Sequence, residues 1–306
     1  MNTRRDFLKS AVAVAVPSLL SVASAADPFR LKYILSSAMY GEMSLEDILP
    51  EVEKTGCEAI DIWCRVHGNQ REQIEQMGDE KFAQLLSGHK VQLGVSTRYP
   101  LGPFKLQEEM RWAKKFGGKV VLCGSTGPKE PEGAEAKAAM QKFLEEMKPH
   151  VAVAEELGVT IAIENHDKQA LYHPDSLRYF GELNRSPNLG VALAPHHLHK
   201  WYDQIPQLIR DLGVGQIPFM YFQEHSEGIR GKVAKEIEMQ QMPGFGGGLD
   251  YRPIVRALKQ IQYRGYVEIF MHPTPRGIPI LPTVAEISAA INKSRKYIES
   301  CMTEIS

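Results

Sequence analysis

Short apolar runs alternate along the chain with longer stretches whose apolar residues recur every three to four positions, so the two periods predict strands and helices in turn. The apolar runs lie at 31–37, 59–64, 91–97, 120–123, 159–165, 190–194, 217–223 and 266–270. Between them the helical period covers 44–55, 71–87, 106–116, 135–157, 174–183, 201–211 and 251–261, with a last stretch near 283–300. Several joints carry capping chemistry: Ser44 followed by Asp47, Lys115-Phe116-Gly117-Gly118, Glu156-Leu157-Gly158, and Asp250 before Tyr251. Eight strands, each followed by a helix, predict an α/β chain of (β/α)8 TIM-barrel type, a single domain over 26–306. A doubly wound open sheet fits less well, because no GxGxxG follows the first run. Pro218 inside the seventh run is tolerable only among a strand's first residues.

Ahead of the first run stands a segment of another kind. Arg4 and Arg5 precede an apolar stretch from Ala11 to Val22, and Ala23-Ser24-Ala25 supplies the small residues that a signal peptidase needs. Residues 1–25 are therefore expected to be a twin-arginine export signal, with the mature chain in the periplasm or cell envelope. No second membrane-length segment follows, so no stable span is expected once the signal is removed. Lys plus Arg (36) nearly balance Asp plus Glu (37), and this argues against a nucleic-acid partner. The four cysteines, Cys57, Cys64, Cys123 and Cys301, show no CxxC spacing, which excludes a disulfide scaffold or a zinc finger.

Candidate chemistry gathers at the ends of the later strands. The run VTIAIENH, 159–166, delivers Glu164 and then His166 to the end of a buried strand, and GYVEIFMHP, 265–273, does the same with Glu268 and His272. Of ten histidines, His166, His196, His197, His225 and His272 sit at or just beyond strands five to eight. Imidazole and carboxylate together suit a divalent metal such as Mn, Zn, Co or Fe better than Mg. On the second strand Asp61 and Trp63 share a face with Arg65 close behind, an aromatic wall with polar groups that suits a polyol. The segment 228–248, ending in Pro243-Gly244-Phe245-Gly246-Gly247-Gly248, lacks the Lys and Ser/Thr of a P-loop and reads as a flexible cover.

The order IENH, APHH, FQEH and PGFGGGLDYRPIVRALKQIQYRGYVEIF resembles the xylose isomerase-like TIM-barrel family of sugar isomerases, ketose 3-epimerases, inosose dehydratases and endonuclease IV-type nucleases. The resemblance covers nearly the whole chain after the signal. It implies a metal held by Glu, Asp, His and Glu on strands five to eight, with the two glutamates doubling as acid and base. Glu164 and Glu268 match those two positions; Ala194 stands where the strand-six Asp is expected, and Tyr221 where the strand-seven His is expected. The ligand set expected for one divalent ion is therefore Glu164, His197, His225 and Glu268, with a metal-free site as the alternative. Asp61, Trp63, His166, His196, Gln223, His272 and Arg276 are the expected substrate contacts. The implied reaction is proton abstraction next to the carbonyl of a small-molecule sugar, free or as a keto-glycoside, ending in epimerisation, isomerisation or elimination. A carbohydrate-binding barrel without turnover is the alternative from another class.

Overall fold

The computed structural model of the chain describes residues 29–304. The export signal expected over residues 1–25 lies outside the described residues. Eight parallel strands close into a barrel in sequence order: β1 Lys32–Ser36, β2 Ala59–Trp63, β3 Leu93–Thr97, β4 Val120–Gly124, β5 Thr160–Glu164, β6 Leu189–Leu193, β7 Phe219–Phe222 and β8 Tyr266–Ile269. Closure comes from β8 pairing with β1, where Lys32, Tyr33 and Ile34 face Tyr266, Val267 and Glu268. The helices are α1 Leu45–Ile48, α2 Glu51–Lys54, α3 Gln70–Met77, α4 Asp79–His89, α5 Gln107–Lys115, α6 Gly133–Leu157, α7 Pro174–Leu183, α8 Ile205–Leu212, α9 Lys235–Met239, α10 Tyr251–Gln260 and α11 Val284–Glu304. Among them, none is long and apolar enough to cross a membrane.

All eight expected strands are present, because each is an apolar run covered by barrel interior on one side and helix on the other. The capping chemistry also holds. Ser44 accepts from the Asp47 backbone N–H at 3.2 Å, Asp250 accepts from that of Arg252 at 3.0 Å, and Gly158 closes α6 with φ 63°. Pro218 stands just before β7, where it removes no ladder hydrogen bond.

Three helical expectations need correction. The stretch 44–55 is cut at Pro50, which has no N–H to donate, and 71–87 is cut at Gly78, whose φ of 84° no other residue adopts cheaply. The stretch 201–211 becomes helical only at Ile205, with Pro206 in its first turn. Its opening residues belong to a 3-10 segment, Pro195–Gln204, with non-helical backbone at Leu198 and Trp201. That 3-10 segment leaves the end of β6 and carries His196 and His197 over the barrel.

Candidate active site

The loops after the strands enclose a cavity of about 650 Å³. Glu164 is at its floor, His166, Asp167 and Lys168 follow from the β5 loop, His196, His197 and His199 come from the β6 loop, and His225, Ile229 and Arg230 from the β7 loop. The far wall is built from Val66, His67 and Tyr99 with His272, Thr274 and Arg276. Of the residues expected as substrate contacts, His166, His196, His272 and Arg276 line this cavity.

Asn165 explains how two of these loops are set. Its side-chain amide donates to the Ala194 carbonyl at 3.1 Å, and its side-chain oxygen accepts from the Ala194 N–H at 2.7 Å. The end of β5 is thus clipped to the end of β6, which fixes Glu164 relative to His196 and His197. Asn165→Ala leaves the buried Ala194 N–H without a partner and the Ala194 carbonyl with only the His197 N–H, and a loss of roughly 1–3 kcal/mol is expected. Urea unfolding checks this, and a change within error would show that the clip contributes nothing.

Glu164 is buried and its acid form is favoured: burial, with Asp167 adding to it and His166 working against it, pushes its carboxyl up to about 8. His197 lies between two carboxyl groups, with Nε2 at 3.7 Å from Glu164 and Nδ1 at 3.5 Å from Asp167. The His196 and His197 rings are 3.9 Å apart between centroids, and those of His197 and His166 are 4.0 Å apart. Burial holds His196 and His197 well below the ordinary imidazole range, so both are neutral. Asp167 is the opposite case. The hydrogen bond from His166 holds it far below the usual carboxylate range, and Arg230 ion-pairs with its other oxygen. Across the cavity, burial holds His67 down to about 4 and lowers His272 as well, their rings 4.8 Å apart.

Several expected residues lie elsewhere. Glu268 is fully buried one layer down in the barrel, level with Tyr221 on β7 and Ile34 on β1, and it does not line the cavity. Burial and the nearby Asp61 raise its pKa far above the usual carboxylate range. Asp61 is buried in the same layer, accepts from Thr97 Oγ1 at 2.7 Å, and is pushed up to about 7 by burial. Trp63 stacks on Phe270 at 4.9 Å and 10°, so it supports the wall from beneath. Gln223 donates to Gln241 at 2.9 Å, and Gln241 in turn holds the His272 backbone from both sides, at 2.8 and 2.9 Å. His225 lines the cavity but stacks on His199 at 3.9 Å. The glycine-rich end of 228–248 is also absent from the cavity wall. It wraps the buried Glu224, which accepts from the Leu249 N–H at 3.0 Å, and packs at Gly244 against Tyr297.

The sequence matches the family model described as xylose isomerase-like TIM barrel over residues 49–297. The chain belongs to the xylose isomerase-like TIM-barrel family. No curated protein matches it. Among solved structures this family member is similar to the IOLI protein with a bound zinc atom, at TM-score 0.67 and 18% identity, over 90% of this chain and 99% of that one. It is also similar to a D-psicose 3-epimerase from Clostridium cellulolyticum H10 with D-tagatose, at TM-score 0.65 and 14% identity, over 89% and 99%. A third likeness is to the probable 3-DHS dehydratase AsbF from Bacillus anthracis, at TM-score 0.62 and 16% identity, over 87% and 99%. At these identities the likeness shows the fold.

In this xylose isomerase-like barrel the expected ligand set does not converge. Among the described residues two groups bring donor atoms within 4.8 Å of one another: Glu164 with His196 and His197, and His166 with Asp167 and His197. His225 and Glu268 are in neither. The donors of the first group fit a divalent ion, since His196 is buried with both ring nitrogens unpartnered and His197 Nε2 is likewise unpartnered. Asp167 and Arg230 were missed by sequence reasoning because both sit in loops. Only the position of Asp167, directly after IENH, could have signalled it.

Proposed function

We propose that the protein is an exported sugar-modifying enzyme of isomerase or epimerase type, which removes a proton next to the carbonyl of a free sugar or keto-glycoside with the assistance of one divalent cation. The observation that carries this is Glu164: a buried carboxyl at the floor of a cavity that seven imidazoles also line, with burial in the metal-free protein pushing it up to about 8. A carboxyl held at the cavity floor within reach of a substrate carbon can both take and return a proton. Asp167, the other carboxylate in the wall, is held ionised by His166 and Arg230 and serves as a fixed charge. His67 and His272 face Glu164 from the opposite side of the barrel mouth, where neutral imidazoles can donate to or accept from sugar hydroxyls. A bound cation would supply the positive charge against which a carbonyl oxygen becomes anionic. The family membership and neighbours bearing epimerase and dehydratase names agree with this reading. The Arg4-Arg5 signal supports export, away from most sugar phosphates.

Because Glu268 stands apart from the cavity, we assign the second proton donor, on the opposite face of the substrate, to the His67 or His272 imidazole. Expulsion of a β-substituent in place of reprotonation gives a keto-glycoside lyase on the same residues. Solvent deuterium incorporation into ketoses and 3-keto-glucosides tests the proposal. Exchange at the carbon next to the carbonyl supports it, and release of the aglycone selects the lyase. Tight sugar binding with no exchange on any carbonyl sugar would leave the carbohydrate-binding barrel.

A further inference from the structure

We propose that the cation is held by Glu164, His196 and His197, with Asp167 positioning His197 from the other edge of its ring, and that Glu268 is not a ligand. This rests on the metal-assisted sugar site proposed above. Both candidate donor groups use His197, through different nitrogens: Nε2 faces Glu164 at 3.7 Å and Nδ1 faces Asp167 at 3.5 Å. A neutral imidazole has one N–H and one lone pair, so only one of the two edges can present a lone pair to a cation.

Asp167 decides which edge that is. Its carboxylate already meets His166 Nδ1 at 3.0 Å and the Arg230 guanidinium, and two cationic or N–H partners make it a weak cation ligand and a strong hydrogen-bond acceptor. The His197 N–H therefore belongs on Nδ1, toward Asp167, and the lone pair on Nε2, toward Glu164. A carboxylate that accepts from the far nitrogen of a metal-binding histidine fixes both the tautomer and the ring. His166 is spoken for in the same way, its Nδ1 lying 2.8 Å from the Asp167 carbonyl oxygen. His196 is free of such ties. It is 2% exposed, and neither ring nitrogen has a hydrogen-bond partner. Two imidazoles and one carboxylate suit Zn, Fe or Co, with further positions left to substrate or water.

The barrel interior gives the complementary half of the argument. Ala194 and Tyr221 occupy buried positions where ligands were expected; Ala194 offers no donor atom, and Tyr221 offers a phenol in place of an imidazole. Glu268 lies in that layer beside Asp61, off the cavity wall, and although both its carboxyl oxygens are unpartnered, it falls in no group of three donors close enough to share an ion among the described residues. The ligand set keeps Glu164 at the end of β5 and otherwise moves up to the 3-10 segment after β6.

Cobalt(II) titration of the chelator-stripped full-length protein tests this, read by bound stoichiometry and visible d–d absorption, with circular dichroism as the folding control. One equivalent is expected to bind with the bands of a low-coordinate nitrogen and oxygen site. Glu164→Gln and His196→Gln should each weaken binding at least about 100-fold, and Asp167→Asn about 10- to 100-fold with the stoichiometry kept. Glu268→Gln and His225→Ala should bind as the wild type does. Loss of the bands in Glu268→Gln with retention in His196→Gln overturns the assignment, as does an absence of cobalt binding by the folded wild type. Deuterium exchange by a protein that binds no cobalt would sink the ligand set and keep the sugar chemistry. Cobalt bound as assigned, with no exchange on any carbonyl sugar, would do the reverse.

Discussion

Glu164→Gln is expected to slow deuterium incorporation into a carbonyl sugar by about 10²–10⁴-fold, the usual contribution of a positioned acid or base, while the metal-free protein keeps or gains stability. The second half follows from burial. The carboxyl is pushed up to about 8, so near neutrality the folded protein already holds a neutral group there, and the amide is its near isostere. A merely structural residue would show the converse pattern, with exchange preserved and unfolding eased. Full exchange by the Gln variant would remove Glu164 from the chemistry.

The metal-free protein is also expected to lose stability as pH rises from about 6.5 to about 8. In the unfolded chain the Glu164 carboxyl ionises near 4.5, whereas the folded chain keeps it protonated up to about 8. Between those values unfolding releases a proton, so rising pH favours the unfolded chain until the folded carboxyl itself ionises. Burial pushes Asp61 and Glu224 up to about 7, and both act in the same direction over a shorter interval. The buried imidazoles have the opposite sign. His67, held down to about 4, contributes stability that is lost as pH falls from about 6.5, and His196, His197 and His272 are lowered in the same sense. Above about 6.5 the carboxyl effect is joined by His166, which burial lowers but the hydrogen bond to Asp167 raises further, leaving it above the ordinary imidazole range, so its contribution is lost in the same direction. Over that interval Glu164 alone accounts for a loss on the order of 2 kcal/mol. Urea midpoints at constant ionic strength, with chelator present, check this. A flat profile in the wild type, or an unchanged slope in Glu164→Gln, would show that the folded carboxyl is already ionised.

Strand and helix identity was legible because burial on two sides leaves a continuous apolar run and burial on one side leaves a 3.6-residue period. Depth inside the barrel was not. Alternation says which face a residue takes, whereas its height depends on strand stagger. Glu164 is the last residue of β5 and reaches the cavity, whereas Glu268 is the third of four in β8 and stays below it. Asp61, in the middle of β2, is lost to the same layer, and Trp63 is drawn into a stack with Phe270. The histidines were more readable, since a loop leaving a barrel strand has only the mouth to line. Their division of labour was hidden because it turns on Asp167, whose partner Arg230 is 63 residues away in sequence.

The loops after β7 and β8 are bound to each other at the mouth. Thr274 Oγ1 donates to the Gly228 carbonyl at 2.9 Å, the Thr274 N–H donates to Glu238 at 2.7 Å, and Arg276 spans the Pro273 and Ile229 carbonyls at 2.8 Å each. Such a rim behaves as an aperture of set diameter, so it selects by girth. On the proposed function, slender sugars and glycosides should pass without the rim opening, branched glycans should be turned away at the threshold, and kcat should be insensitive to solvent viscosity.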